Sequence, residues 1–194
     1  MTSILPLPAG AERTAALAAW IQGLYSASPP VLVGGSAVEL YTAGAYVSGD
    51  LDFVGLVPKA VAEQLARAGF RKLGRHWVHE PAQLFVEFPG TRLEPSEDVV
   101  DLRVGDAVVR VLAPEPLIVN CLSAWDHWQS AQDGVNAWLV ARSTRLDRGR
   151  LRELAATEQV TKALAALEAA LARWRRSEPD AKELAAWANQ VPSA

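Results

Sequence analysis

Cysteine is nearly absent from this chain, whose 194 residues include only Cys121. One cysteine cannot form an internal disulfide, and this usage suits a reducing cytoplasm. We interpret Cys121 as a small, buried apolar residue. The sequence also lacks the run of roughly 18 uncharged apolar residues that a membrane helix needs, and residues 1–8 lack the basic start of a secretory signal. We therefore predict a cytoplasmic protein with no membrane contact.

A large excess of either charge is absent as well, since 19 basic and 22 acidic residues leave a net charge of −3. With a pI near 5.7, we expect no broad basic surface for nonspecific nucleic-acid binding. We interpret the basic triplet Arg173, Arg175 and Arg176 as a solvated helix face, and a local anion-binding patch stays open as the alternative. Half of the residues are hydrophobic, which at this length predicts a folded protein with a sizeable core.

The first 112 residues mix helical and strand periodicity, which predicts an α/β arrangement. The predicted helices are residues 11–26, 37–41 and 58–68, and the predicted strands are 31–33, 51–57, 77–78, 84–88, 99–102 and 107–112. Ser36 is expected to cap the second helix, and Pro58 to open the third. The last two strands are expected to form a hairpin around Gly105-Asp106.

From Pro114 onward the pattern is helical, rich in Ala, Leu and Trp, and no strand signal returns. Breaks near residues 143–147 and 177–180 predict three or four helices. The tryptophans that we expect in the core are Trp125, Trp128 and Trp138. We predict two domains, a mixed core at residues 1–112 and a helical domain at residues 113–194.

The residues that could bind a ligand or take part in a reaction cluster in one stretch. There a predicted strand runs into Gly34-Gly35-Ser36, and the next strand begins with Asp50-Leu51-Asp52. Side chains two residues apart on a strand share a face, so Asp50 and Asp52 can bind one hard divalent cation such as Mg²⁺. Glycines let a backbone approach a ligand closely, and a helix N-terminus favours phosphate. The stretch therefore predicts a phosphate site beside a metal site.

This combination, with Asp50 fourteen residues after Ser36, resembles the DNA polymerase beta-like nucleotidyltransferase superfamily. Four further segments look like a little-characterised family of small bacterial nucleotidyltransferase-like proteins, and the resemblance covers most of residues 30–140. These segments are residues 37–41, 74–77, 86–89 and 111–114. The resemblance implies a nucleotidyltransferase-fold mixed sheet with flanking helices, followed by a helical C-terminal part.

A third carboxylate is implied by the resemblance, and Glu87 is the candidate because it stands alone among apolar neighbours in its strand. An edge-strand Glu pointing to water is the alternative. Arg75 is a candidate phosphate contact and Trp77 a candidate surface for base stacking. One departure from the family lies at Asn120-Cys121, where its members carry an Asp-Arg pair and related toxin-type enzymes a Lys.

Our leading hypothesis is a Mg²⁺- or Mn²⁺-dependent enzyme that moves an NMP group from an NTP to a hydroxyl of a small molecule, protein or RNA. Asp50, Asp52 and Glu87 would be catalytic, and Gly34-Gly35-Ser36 would hold the phosphates. This hypothesis includes a toxin-type enzyme that is paired with an antitoxin protein. Two alternatives stay open: a catalytically silent nucleotide- or partner-binding module with the same fold, and a structural protein whose acids are caps and surface charges.

Overall fold

The computed structural model describes residues 10–190. The chain divides into two compact units, Met1–Ala113 and Pro114–Ala194. This division lies one residue from the predicted domain boundary; that the units are separate domains stays a prediction. Within the described residues, no helix has both the length and the apolar character needed to cross a bilayer.

The first unit is a mixed sheet with three flanking α-helices within residues 10–113. The helices are α1 (Ala11–Gln22), α2 (Gly34–Tyr41) and α3 (Lys59–Arg67). The strands are β1 (Val31–Val33), β2 (Leu51–Val54), β3 (Arg71–Leu73), β4 (His76–His79), β5 (Leu84–Gly90), β6 (Val99–Val104) and β7 (Ala107–Leu112). Their order across the sheet is β3-β4-β5-β2-β1-β7-β6.

β5, β2 and β1 form the centre of this sheet. β1 pairs antiparallel with β2 and parallel with β7, and β2 pairs parallel with β5. Their apolar residues are buried, with Leu32 and Phe53 at 0% exposure and Val86 at 1%. Burying a side chain of this size stabilises a fold by roughly 1.5–3 kcal/mol. The middle of the sheet therefore belongs to the buried core of the unit.

Most predicted strands are confirmed, including the hairpin of β6 and β7 around Gly105, which has φ +56. The second strand ends at Val54, earlier than predicted, and the register shifts between Asp52 and Val54. α1 ends at Gln22 rather than residue 26. β3 was not predicted because all three of its residues are exposed and show no apolar alternation.

The second unit is helical, as predicted, and has five helices within its described residues. They are α4 (Pro114–Trp128), α5 (Ala131–Ser143), α6 (Arg148–Thr157), α7 (Thr161–Arg173) and α8 (Ala181–Ala188). The prediction of three or four was wrong because two turns pass through Gln129 and Gln159. Both glutamines adopt positive φ, a conformation that glycine normally signals.

Tryptophans form much of the core of this unit. Trp125 is fully buried and its ring centre lies 4.9 Å from that of Trp187, while Trp138 packs edge-on against Trp174. The core placement of Trp125 and Trp138 is confirmed. The same expectation was wrong for Trp128, which is the last residue of α4 and is 83% exposed.

Candidate active site

Four cross-strand partners form one row across the middle of the sheet. They are Val33 on β1, Asp52 on β2, Glu87 on β5 and His76 on β4. Directly opposed partners project from the same face of a sheet. Asp50 lies two residues before Asp52, and one carboxylate oxygen each of Asp50, Asp52 and Glu87 lie within 4.8 Å of one another. The structure thus brings the three predicted carboxylates together.

The Gly34-Gly35 turn runs directly against these carboxylates. Gly34 has φ +61, and a Cβ at this position would lie 2.7 Å from Oδ2 of Asp52. Only glycine combines this backbone conformation with such a close approach. Since α2 begins at Gly34, its first backbone N–H groups, which have no partner within the helix, lie next to the carboxylate cluster.

Ser36 contributes to this site differently from the prediction. It lies inside the first turn of α2, and it is not the N-cap. Its side chain is fully buried and its hydroxyl donates to the carbonyl oxygen of Val33 at 3.1 Å. Oγ of Ser36 also accepts from the backbone N–H of Asp52 at 3.3 Å. Ser36 therefore joins β1, α2 and β2, and the backbone of the turn is what a phosphate could contact.

Asp52 is the carboxyl group with the most perturbed ionisation in the cluster. Burial, followed by the negative charges of Asp50 and Glu87, raises the pKa of Asp52 from 3.8 to about 6, although Arg75 and His76 oppose the shift. A raised pKa shows that a negative charge at this position is poorly compensated. The cluster therefore favours an additional cation.

Glu87 has two nitrogen-bearing neighbours, Arg75 from the turn before β4 and His76 from the start of β4. Nε of Arg75 lies 2.9 Å from Oε1 of Glu87, and Nδ1 of His76 lies 3.5 Å from Oε2. His76 Nδ1 is buried and makes no hydrogen bond to another described residue. The Glu87 side chain is 6% exposed whereas that of Arg75 is 74% exposed. Arg75 can therefore leave Glu87 without disturbing the core.

The donor set of this cluster fits a hard divalent cation. Three carboxylates provide only oxygen ligands, which such cations prefer. With all three ionised, their charge exceeds the single positive charge of Arg75 by two. A divalent cation would balance this excess and offset the carboxylate repulsion that, after burial, raises the pKa of Asp52. Asp50, Asp52 and Glu87 are the residues that could hold it.

Two residues that the sequence analysis did not select position Asp50. Glu39, on α2, is 1% exposed and accepts from the Thr14 hydroxyl at 3.1 Å and from the Ser48 backbone N–H at 3.0 Å. Oγ of Ser48 lies 2.9 Å from the Asp50 carbonyl oxygen and 3.3 Å from its Oδ1. The sequence signal that could have indicated this contact is the serine two residues before Asp50.

Trp77 and Cys121 are not part of the cluster. Trp77 is 7% exposed, and strand alternation turns its side chain to the face opposite that of His76 and Glu87. Lys72 lies over its ring at 5.8 Å. Cys121 is 6% exposed within α4, as interpreted from the sequence, and burial strongly raises the pKa of its thiol. Neither side chain supplies a positive charge for phosphates.

Comparison with solved structures identifies the fold. The chain is similar to an antigenic nucleotidyltransferase-like protein from Paracoccidioides brasiliensis, with a TM-score of 0.58 and 14% sequence identity over 87% of this chain and 93% of that one. No protein-family model matches the sequence, and no curated protein does. The chain therefore has a nucleotidyltransferase-like fold, as predicted. The bacterial family that the sequence resembles stays a prediction.

Proposed function

We propose that this protein is a metal-dependent nucleotidyltransferase that transfers an NMP group from an NTP to an acceptor hydroxyl. The observation that carries the proposal is the convergence of Asp50, Asp52 and Glu87 on one face of the sheet, beside the N-terminus of α2. The nucleotidyltransferase-like fold supports it. Mg²⁺ or Mn²⁺ is the proposed cation, which would neutralise charge on the phosphates and the leaving group.

The residues of the cluster and the neighbouring helix have the following proposed roles. Asp50 and Asp52 bind the cation that accompanies the triphosphate, while the first backbone N–H groups of α2 contact the phosphates. Glu87 completes the ligand set or accepts the proton of the attacking hydroxyl. The hydroxyl oxygen forms a bond to the α-phosphorus, and the bond from that phosphorus to the bridging oxygen breaks, which releases pyrophosphate.

Arg75 is proposed to change partners during nucleotide binding. In this structure its Nε contacts Glu87 at 2.9 Å. A cation on Glu87 would displace this exposed guanidinium, which could then bind a phosphate oxygen. Arg75 would thereby supply the positive charge that the resembled family has in its Asp-Arg pair and that Asn120-Cys121 lacks in this chain. This exchange requires no movement of the buried strands.

The acceptor and the cellular setting are part of the proposal. The acceptor is a hydroxyl of a small molecule, a protein or RNA, and a partner protein of the antitoxin kind would fit a toxin-type enzyme. We propose a cytoplasmic location because NTPs are available there and because the one cysteine is compatible with a reducing environment. The transfer chemistry is the same for each acceptor.

Thermal unfolding with each NTP, with and without Mg²⁺ or Mn²⁺, tests the proposal, since a ligand of the folded state raises the melting temperature. We expect a metal-dependent increase that Asp52→Asn abolishes and the surface control Asp106→Asn retains. Release of pyrophosphate from bound NTP, measured with pools of RNA, protein and small hydroxyl compounds, then tests transfer.

The outcomes separate the competing functions. Metal-dependent NTP binding with pyrophosphate release supports the enzyme. Binding without release from any acceptor pool would favour a silent nucleotide-binding module. If no NTP and metal pair stabilises the wild-type protein, the carboxylates are structural and the proposal is wrong.

A further inference from the structure

A cavity of about 590 Å³ lies within the helical unit, between the end of α5, the start of α6 and the end of α7. Four of its lining residues are arginines, namely Arg142, Arg145, Arg148 and Arg175, and its lining includes one acid, Glu168. Four positive charges and one negative charge give the lining a net charge of +3. The whole chain has a net charge of −3. Positive charge is therefore concentrated at this cavity.

The positive charge of the lining is not neutralised within the cavity. Oε1 of Glu168 lies 2.9 Å from Nη2 of Arg152, which is not among the lining residues. Arg142 approaches Glu178 at 3.9 Å, where the glutamate side chain is 75% exposed. The lining arginines whose side chains make no ion pair or hydrogen bond with another described residue are Arg145, Arg148 and Arg175.

The three arginines of the basic triplet differ in their position relative to this cavity. Arg173, Arg175 and Arg176 are all exposed, as predicted, but α7 ends at Arg173, so Arg175 and Arg176 do not lie on a helix face. Arg173 lies over the ring of Trp174 at 5.1 Å, and of the three only Arg175 lines the cavity. The local anion-binding patch that the sequence left open therefore joins Arg175 to arginines of α5 and α6.

We propose that this cavity binds a small organic polyphosphate. Guanidinium groups bind phosphate oxygens in pairs of parallel hydrogen bonds, so several arginines suit several phosphates. Leu151 and Leu171 add apolar lining for an organic part, and the volume is within the range of small-molecule sites. A long nucleic acid is less suited, because its binding depends on many basic contacts. The inference does not depend on the carboxylate cluster.

The test uses the full-length Asp52→Asn protein with EDTA, so that the carboxylate site binds no metal-nucleotide complex. Isothermal titration calorimetry measures binding of ATP and of inorganic tripolyphosphate. The double variant Arg148→Gln/Arg175→Gln is compared with Arg67→Gln/Arg176→Gln, which changes the net charge equally at exposed residues outside the cavity. We expect one binding site, weakened roughly tenfold or more in the first double variant and unchanged in the second.

ATP is expected to bind more tightly than tripolyphosphate, because its nucleoside contacts the leucines. Equal or tighter binding of tripolyphosphate would overturn the organic part of the proposal. Absence of saturable binding, equal losses in both double variants, or tighter binding of a twelve-nucleotide RNA through the same arginines would overturn it entirely. Arg148→Lys/Arg175→Lys, which keeps the charge, should retain part of the affinity, and melting temperatures verify that every variant folds.

Discussion

Asp52→Asn should stabilise the protein at pH 7.5 when no divalent metal is present. The pKa of Asp52 is raised from 3.8 to about 6 by burial and by two neighbouring carboxylates. The folded protein therefore binds this proton more tightly than the unfolded chain does. Stability is highest where the group is protonated in both states, decreases as pH rises from about 3.8, and carries the full penalty above about 6. Asparagine has nearly the same shape and removes the charge.

The size of this effect follows from the shift. About two pKa units correspond to at most about 3 kcal/mol, and because Asp52 is partly exposed, solvent screening reduces this to about 1–2 kcal/mol. In a chain of this length 1 kcal/mol changes the melting temperature by about 2–4 °C. We therefore expect an increase of about 2–8 °C at pH 7.5 that disappears near pH 4.

Scanning calorimetry in EDTA over this pH range measures the effect, with Asp106→Asn as the control for removing an exposed carboxylate. Adding Mg²⁺ or Mn²⁺ should stabilise the wild type, by about 2.7 kcal/mol at one hundred times the dissociation constant, and should leave Asp52→Asn unchanged. An unchanged or lower melting temperature of the variant at pH 7.5 would refute the argument that burial and carboxylate repulsion make a charged Asp52 destabilising in the metal-free fold.

Two further substitutions test the packing around the site and in the helical unit. Gly34→Ala should destabilise the protein by at least about 1–2 kcal/mol and weaken metal binding, because the φ of Gly34 is +61 and the new Cβ would lie 2.7 Å from Asp52 Oδ2. The control Gly49→Ala, with open space around its Cβ, should change stability toward denaturant little. Equal losses of stability in both variants would contradict the close approach of Gly34 to Asp52. Trp125→Phe should cost about 1–3 kcal/mol, since the indole N–H donates to a backbone carbonyl of α8 at 2.7 Å. Trp128→Phe, at an 83% exposed position, should be nearly neutral in urea unfolding, and a similar loss there would argue against the buried hydrogen bond.

Two of the three metal-ligand candidates were readable from the sequence because their signal is local. Asp50 and Asp52 are two residues apart, and a strand period of two turns such side chains to one face. The family resemblance implied a third carboxylate, and Glu87 was the candidate because a lone carboxylate in an apolar strand needs a partner. In contrast, nothing local indicated that Arg75 would contact Glu87 or that Trp77 would project to the opposite face. Those outcomes depend on which strands pair and in which register.

The limits of local patterns are clearest at Ser36, His76 and Gln129. Serine is a common N-cap residue, yet Ser36 lies inside α2. The helix begins two residues earlier, at Gly34, which adopts positive φ. Nothing in the sequence around His76 indicated a contact with a carboxylate. Its position opposite Glu87 follows from the antiparallel pairing of β4 and β5. Gln129 directly follows the last residue of α4 and adopts a left-handed conformation, although this position holds neither glycine nor asparagine.

The sequence by itself determined most strands and helices of the first unit, though not β3, together with the helical second part and the pairing of Asp50 with Asp52, because hydrophobic periodicity and short residue spacings act within a few residues. Only the tertiary structure decided the strand order, the contact of Arg75 with Glu87, the support of Asp50 by Ser48 and Glu39, and the meeting of four arginines at one cavity. Those contacts join segments far apart in the chain, so they depend on the packing of the whole unit.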